Sequence, residues 1–321
     1  VVGRGAGGGA RRPGRRRAGV GEAGGPGGGG DGRDDRREGH GPIDALRPGW
    51  PGTRVGWGRG GVVGRLGVTI HEGTTVKAVR SGQVITDGST VSAEIVARAT
   101  EGYTRDLAGH RRTIAPVYSM MVATQPLSAD VWEEIGLTDR PTFGDGRNLI
   151  IYGQRTADGR LAVGGRGAPY RFGSKLVSTT GAHHPIHDAV EATIRQMFPV
   201  VGDAAITHRW GGVLGLSRDW TPSVGLDRAT GMAWGGGYVG DGVATAKLAG
   251  QTIAELVTGT KSERTDLPWV DHLARKWEPE PFRWIGINAG LRLAASADRA
   301  EARTGRATRR IDWLNRLLRR S

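Results

Sequence analysis

From Arg65 onward the apolar positions fall into short, regular patterns. Val68-Thr69-Ile70 and Val76-Lys77-Ala78-Val79 alternate in the manner of half-buried strands. Gln83–Thr86 and Thr90-Val91 flank Asp87-Gly88, a pairing that predicts a hairpin. Ala93–Ala99 predicts another strand and Thr113–Thr124 a long one. Asn148–Gln154 and Arg160–Gly165 predict two more around Ala157-Asp158-Gly159. Helical spacing first occurs in His187–Phe198, where Val190, Ile194 and Met197 recur at i, i+4 and i+7 before Pro199. Ala205–Gly211 reads as a strand, and Gly231–Val239 runs from apolar residues into glycines. Val243–Val257 predicts a second helix, with Gly259 just past its end. Pro268 to Pro281 is an irregular linker bearing tryptophan. Residues 285–320 read as a helix with Ile311, Leu314, Leu317 and Leu318 on one face and arginines on the other.

Residues 1–64 carry no such period. They hold 24 Gly, 12 Arg and 5 Pro, a composition that cannot bury enough apolar area to offset its ordering entropy, so disorder is expected. Val1–Arg12 is glycine-rich, yet neither the apolar strand nor the helix that a phosphate loop requires surrounds it. GC-rich DNA read out of frame yields the same Gly, Arg and Pro, and that origin is the one we favour for the segment. The net charge of +13 divides into +6 for residues 1–64 and +6 for 291–321, leaving the body nearly neutral. Nucleic acid is therefore not the expected partner, since a phosphate-binding patch belongs on the folded surface; an arginine-tailed nucleic-acid binder is the weaker alternative. The absence of cysteine excludes disulfides, thiolate metal sites and cysteine nucleophiles. No apolar run reaches the ~18 residues of a membrane span, and no basic segment followed by an apolar one opens the chain. A cytoplasmic location is expected, with contact to anionic lipid through the C-terminal arginine face as a lesser alternative. A length of 321 residues suits about two domains.

Candidate chemistry concentrates between Trp210 and Gly259. Trp220-Thr221-Pro222-Ser223-Val224-Gly225 is followed by Gly235-Gly236-Gly237-Tyr238-Val239-Gly240-Asp241-Gly242. This is a strand, a glycine-rich turn and a helix start. Glycines let a flat ligand reach the backbone, and the helix terminus offers free N–H groups to an electron-rich edge. A packing turn between helix and strand is the bland alternative. His183-His184-Pro185-Ile186-His187 does not suggest a metal site, because Pro185 breaks helical ligand spacing. Ser217 and Ser223 lack a nucleophile-elbow sequence.

These motifs resemble the FAD-dependent amino acid and amine oxidases, the D-amino-acid and glycine oxidase family. Trp210-Gly211, Pro222–Gly225 and Gly237–Gly242 match its C-terminal flavin segment. Val68–Val79, Ile95–Tyr103, Pro116–Leu127 and Asp158–Arg166 match, in order, its upstream strands and hairpin. The likeness spans residues 65–260 and implies an α/β fold with α+β elements: an incomplete doubly wound FAD-binding domain plus an antiparallel-sheet substrate domain. By that likeness, 65–110 with 206–260 form the FAD-binding remainder, 111–205 the substrate domain, and 261–321 a linker and basic helix. It implies FAD contacts at Val76, Ala99, Thr100, Gly102, Gly237, Val239, Gly240, Asp241 and Gly242. It also implies a substrate pocket at Tyr118, Met120, Tyr152, Arg166 and Trp210, with Arg166 or Arg218 as carboxylate partners. The implied reaction is oxidation of an amine or amino acid C–N bond to an imine by hydride transfer to flavin, with O2 or another electron acceptor. The family's N-terminal GxGxxG loop has no counterpart in residues 1–40, which makes a non-catalytic truncated remnant the alternative.

Overall fold

The computed structural model describes residues 62–165, 167–177 and 184–309. The expectations for residues 1–61, Arg166, His183 and the face bearing Ile311–Leu318 lie outside the described residues. The chain builds three sheets. The first is an antiparallel meander of β1 (Val76–Arg80), β2 (Gln83–Thr86) and β3 (Thr90–Ser92). Its hairpin closes at Asp87-Gly88, where Thr86 Oγ1 accepts the Ser89 N–H at 2.9 Å. In the second, β4 (Val96–Arg98) runs parallel to β11 (Met232–Gly236), which pairs antiparallel with β10 (Ser223–Asp227).

The third sheet has five antiparallel strands in the order β6-β7-β8-β5-β9. These are β5 (Ala115–Thr124), β6 (Thr142–Gly144), β7 (Ile151–Arg155), β8 (Leu161–Gly165) and β9 (Ile206–Leu216). The Asp158-Gly159 turn joins β7 to β8, with Gly159 at φ +79°. One face of this sheet packs against helix α2 (Pro185–Met197) and α1 (Ala129–Ile135). Val122, Ile151, Leu161 and Val163 meet Val190 and Ile194 there, with Trp132 completing a dry cluster. The i, i+4 pair Val190 and Ile194 is the stripe that the sequence pattern marks.

Helix α3 (Gly242–Thr258) follows β11 and packs on the second sheet through Ala249 against Val224 and Trp269. Gly259 ends it at φ +72°. Residues 267–280 form a strap rather than a free linker. Val270 bridges Val224, Trp269 sits in the α3 cluster, and Trp277 is buried with its indole N–H donating to Leu216 O at 2.7 Å. Helix α4 (Phe282–Thr304) completes the described chain. No helix among the described residues is long and apolar enough to cross a membrane.

Several expectations change. Val68–Ile70 is irregular rather than a strand, and no strand among the described residues pairs with it. α1, β6 and β10 stand where the pattern marks no element. β9 runs on to Leu216 and pairs with β5 from end to end, so residues 206–216 are hydrogen-bonded into the five-stranded sheet.

Candidate functional site

Strand register sorts the implied pocket residues onto two faces, because successive side chains alternate. Tyr152 lies across Gly164 from Met121, and Trp210 lies across from Met121 on the other side. Ser119, Met121, Tyr152 and Trp210 therefore share one face. The Ser119 and Tyr152 hydroxyls are hydrogen-bonded to each other there. Tyr118 and Met120 point to the opposite face, where both are buried. The Tyr118 hydroxyl accepts the Val177 N–H at 2.8 Å. Register thus removes Tyr118 and Met120 from the surface that Tyr152 and Trp210 share. Arg218 is also engaged: its Nε donates to both Glu278 oxygens at 3.0 and 3.1 Å, and its guanidinium lies 5.3 Å from the Trp277 ring centre. Its charge is met by an acid, so it is not an open carboxylate partner.

The glycine loop stands at one end of the Tyr152 face. Val239 and Leu214 both pack against the buried cluster of Ala115, Val117, Leu216, Tyr170 and Trp277, so the loop and that face share one apolar cluster. The backbone here is left-handed at Gly237, Val239 and Gly240, with φ values of +76°, +55° and +114°. At Gly240 only glycine is at ease. Asp241 precedes α3 without making a side-chain capping bond, and the first turn carries no acid. The opening N–H groups of α3 therefore have no acceptor from a cap. An electron-rich ring edge, such as the pyrimidine side of a flavin, fits this donor set.

Ala99, Thr100 and Gly102 lead into a 3-10 turn at Glu101–Asp106. Thr100 Oγ1 is hydrogen-bonded to Thr104 Oγ1 at 2.9 Å. Gly102 is glycine because a Cβ there would come within 2.1 Å of Val213 Cγ1. Val76 opens β1 on the separate three-stranded sheet.

Two residues that sequence reasoning passed over sit beside the loop. Glu101 adopts φ +43°, and its Oε1 accepts the Tyr238 N–H at 2.9 Å. Its Oε2 is buried with no hydrogen-bond partner. Burial raises the Glu101 carboxyl above its ordinary value, partly opposed by backbone N–H groups from Tyr238, Gly237 and Gly215. The Tyr238 phenol is pushed up to about 12, chiefly by burial and secondarily by the Glu101 charge. Arg98, at the end of β4, donates to Thr104 Oγ1 at 3.3 Å and pairs with no acid among the described residues. Burial draws its guanidinium below the usual value. An acid and a base three residues apart thus flank one loop without pairing. A charged residue gives no sequence signal of burial, so neither was legible beforehand.

His184 accepts the Ile186 N–H through Nδ1 at 3.2 Å, capping α2. His187 Nε2 is hydrogen-bonded to Trp210 O at 3.0 Å. Among the described residues no group of three or more metal-ligating side chains converges.

Comparison with known proteins bears on the family and the fold. The family model described as FAD dependent oxidoreductase matches residues 61–256. A probable oxidoreductase OrdL of Rhizobium meliloti is 30% identical over 205 residues, covering 61% of this chain and 44% of the relative. The gamma-glutamylputrescine oxidoreductase of Escherichia coli K12 is 32% identical over 154 residues, covering 47% of this chain and 33% of the relative. The chain spans less than half the length of these relatives. In fold it is similar to glycine oxidase from Geobacillus kaustophilus, with a TM-score of 0.53 and 19% identity over 65% of this chain and 54% of that one.

Proposed function

This chain belongs to the FAD dependent oxidoreductase family, and from that premise we propose that it serves the oxidation of an amine or amino acid at its C–N bond. The observation that carries the proposal is the junction of loop and sheet. The uncapped start of α3 and the Ser119–Tyr152–Trp210 face meet at one apolar cluster through Val239. The chemistry that bound FAD supplies is acceptance of a hydride from the carbon beside the substrate nitrogen, leaving an imine for water to hydrolyse. The N–H groups of Gly240 and Gly242 would hold the ring edge where negative charge develops, while the Asp241 N–H is already given to Tyr238 O. Val239 and Trp277 keep water from the loop's inner side. Trp210 and Tyr152 provide an aromatic surface for the substrate, and the Ser119–Tyr152 pair provides a hydroxyl that can accept from an amine. The electron acceptor is O2 or a carrier, and the substrate is a small molecule.

The test uses the purified 321-residue chain. Its visible spectrum is recorded before and after titration with FAD, and then during anaerobic mixing with primary amines, secondary amines and amino acids. Flavin absorbance that bleaches with one of these classes is the expected result. A protein that takes up no FAD reduces the chain to a non-catalytic remnant. A flavin that none of the three classes bleaches overturns the amine assignment alone.

A further inference from the structure

We propose that helix α4 is a docking surface for an anionic lipid bilayer, against which it lies flat on the side turned away from the protein. The helix follows the residues that match the family model, so the inference stands apart from the flavin reading. Phe282, Ile285, Ala289, Arg292, Arg299 and Arg303 succeed one another at steps of three, four or seven residues, which keeps them along one side of a helix. All six are exposed. The opposite side is the anchored one, where Arg283, Ala294, Ala297 and Asp298 are buried.

The first turns supply the apolar part. Phe282 is 67% exposed and Ile285 52%, and a shallow groove lined by Trp284, Ile285, Asn288 and Ala289 runs beside them. A single exposed apolar residue is ordinary. Two large ones a turn apart, with a tryptophan on their flank, form a wedge of the kind that enters the headgroup region to ~5–10 Å. From Phe282 to Arg303 the stripe is ~32 Å long at about 1.5 Å per residue, so only a helix lying in the membrane plane brings all of it into contact.

Charge selects the occupant. The helix carries two acids, Asp298 and Glu301, and both are engaged by the protein. Asp298 accepts the Asn148 and Leu149 N–H groups at 2.8 and 3.1 Å, and Glu301 accepts the Thr308 N–H at 2.9 Å. Among the described residues no ion pair engages Arg292, Arg299 or Arg303. Arg306 and Arg309, just past the helix, are exposed too, and the sequence that follows adds four arginines against the single acid Asp312. Each arginine held at an anionic bilayer strengthens binding about fivefold. A second copy fits less well, because two such helices pairing about the middle of the stripe set Arg292 against Arg292 in either direction. A nucleic acid would meet the arginines but leave Ile285 and Ala289 in water, since they offer a base edge nothing to bond.

The experiment floats the full chain with vesicles of phosphatidylcholine alone, and with vesicles of equal parts phosphatidylcholine and phosphatidylglycerol, across a salt series. Binding to the mixed vesicles that weakens with salt, and none to phosphatidylcholine alone, is the expected result. Phe282→Ser combined with Ile285→Ser should lower the affinity roughly tenfold or more. Arg292→Gln combined with Arg299→Gln should lower it about twentyfold at low salt and little at high salt. All four positions are exposed, so thermal unfolding of both double variants should match the parent. In the parent, brominated acyl chains should quench tryptophan emission, and quench it less in Trp284→Phe, which tests insertion without either double variant. No flotation with the mixed vesicles overturns the proposal. So does flotation unchanged by the Phe282 and Ile285 pair, or emission that brominated chains leave untouched. Single-stranded DNA that binds more tightly than the vesicles at equal salt would assign the arginines to nucleic acid instead, and a dimer in sedimentation that Ile285→Ser dissolves would assign the face to a second copy; either result also overturns it.

Discussion

Replacing Gly215 with Ala should destabilise the protein mainly through Glu101, and removing Glu101 should cure most of that damage. A Cβ built on Gly215 falls 1.8 Å from Glu101 Oε2 and 2.9 Å from Ile114 Cγ2. The methyl carbon needs the space the carboxylate fills, so the acid must leave. Leaving breaks its bond from the Tyr238 N–H, and a hydrogen bond to a charged group contributes about 1.5–3 kcal/mol. Crowding a filled site adds ~1–3 kcal/mol. Displacing a charge that burial already disfavours offsets part of the sum. We therefore expect Gly215→Ala to cost about 2–4 kcal/mol. Glu101→Ala alone should cost only about 1 kcal/mol, because it loses the bond and the buried charge together. In the double variant the new methyl meets only Ile114, so the coupling should exceed ~1.5 kcal/mol, well beyond the ~0.5 kcal/mol of independent sites. Urea unfolding of the four proteins, compared at equal slope, measures it. Additive losses within that margin would refute the packing of Glu101 against Gly215.

Three further outcomes follow from the same geometry. Ile194→Ala, deep in the cluster between α2 and the five-stranded sheet, should lower unfolding free energy by about 2–5 kcal/mol; a smaller loss in urea would show that the cluster collapses around the void. Gly240→Val forces a branched residue to φ +114° and places its side chain at the start of α3; it should reduce flavin uptake in an absorbance titration, with a strain cost of ~1–3 kcal/mol. Because the folded Glu101 carboxyl is raised above its ordinary value of 4.5, its contribution is full below that value and is lost as pH rises through the higher folded one. Stability measured upward from that pH should fall less in Glu101→Gln than in the parent, and identical slopes would contradict the burial.

Legibility in the sequence followed the range of the interactions. The Asp87-Gly88 and Asp158-Gly159 turns and the Val190/Ile194 stripe are local signals, and each marks an observed element. Helix α1 carried usable signals too: Ser128 accepts the Val131 N–H as a cap, and Gly136 ends the helix at φ +77°. It was obscured because seven residues show barely two turns of pattern, with Trp132 the only buried one. Strand β10 was masked by Pro222 and Gly225, yet the strap residue Val270 supplies its outer neighbour. The alternation at Val68–Ile70 failed for the converse reason, since no strand among the described residues pairs with it. The glycine loop was readable as a motif. Its charged neighbours were not, because Glu101 meets Tyr238 across 137 positions and Asp219 meets His272 across 53.

The strap also sets a timetable for synthesis. Trp277 reaches back 61 positions to Leu216 and covers Ala115 and Val117 of β5. At ~5–20 residues per second, a ribosome needs roughly 3–12 s to travel from β9 to that tryptophan. Throughout that interval the paired β5 and β9 expose an apolar strip whose cover has not been made. A nascent chain of this protein is therefore most open to capture by a chaperone, or by another copy of itself, between those two moments. A ribosome stalled in the strap would leave a sheet already paired but still uncovered.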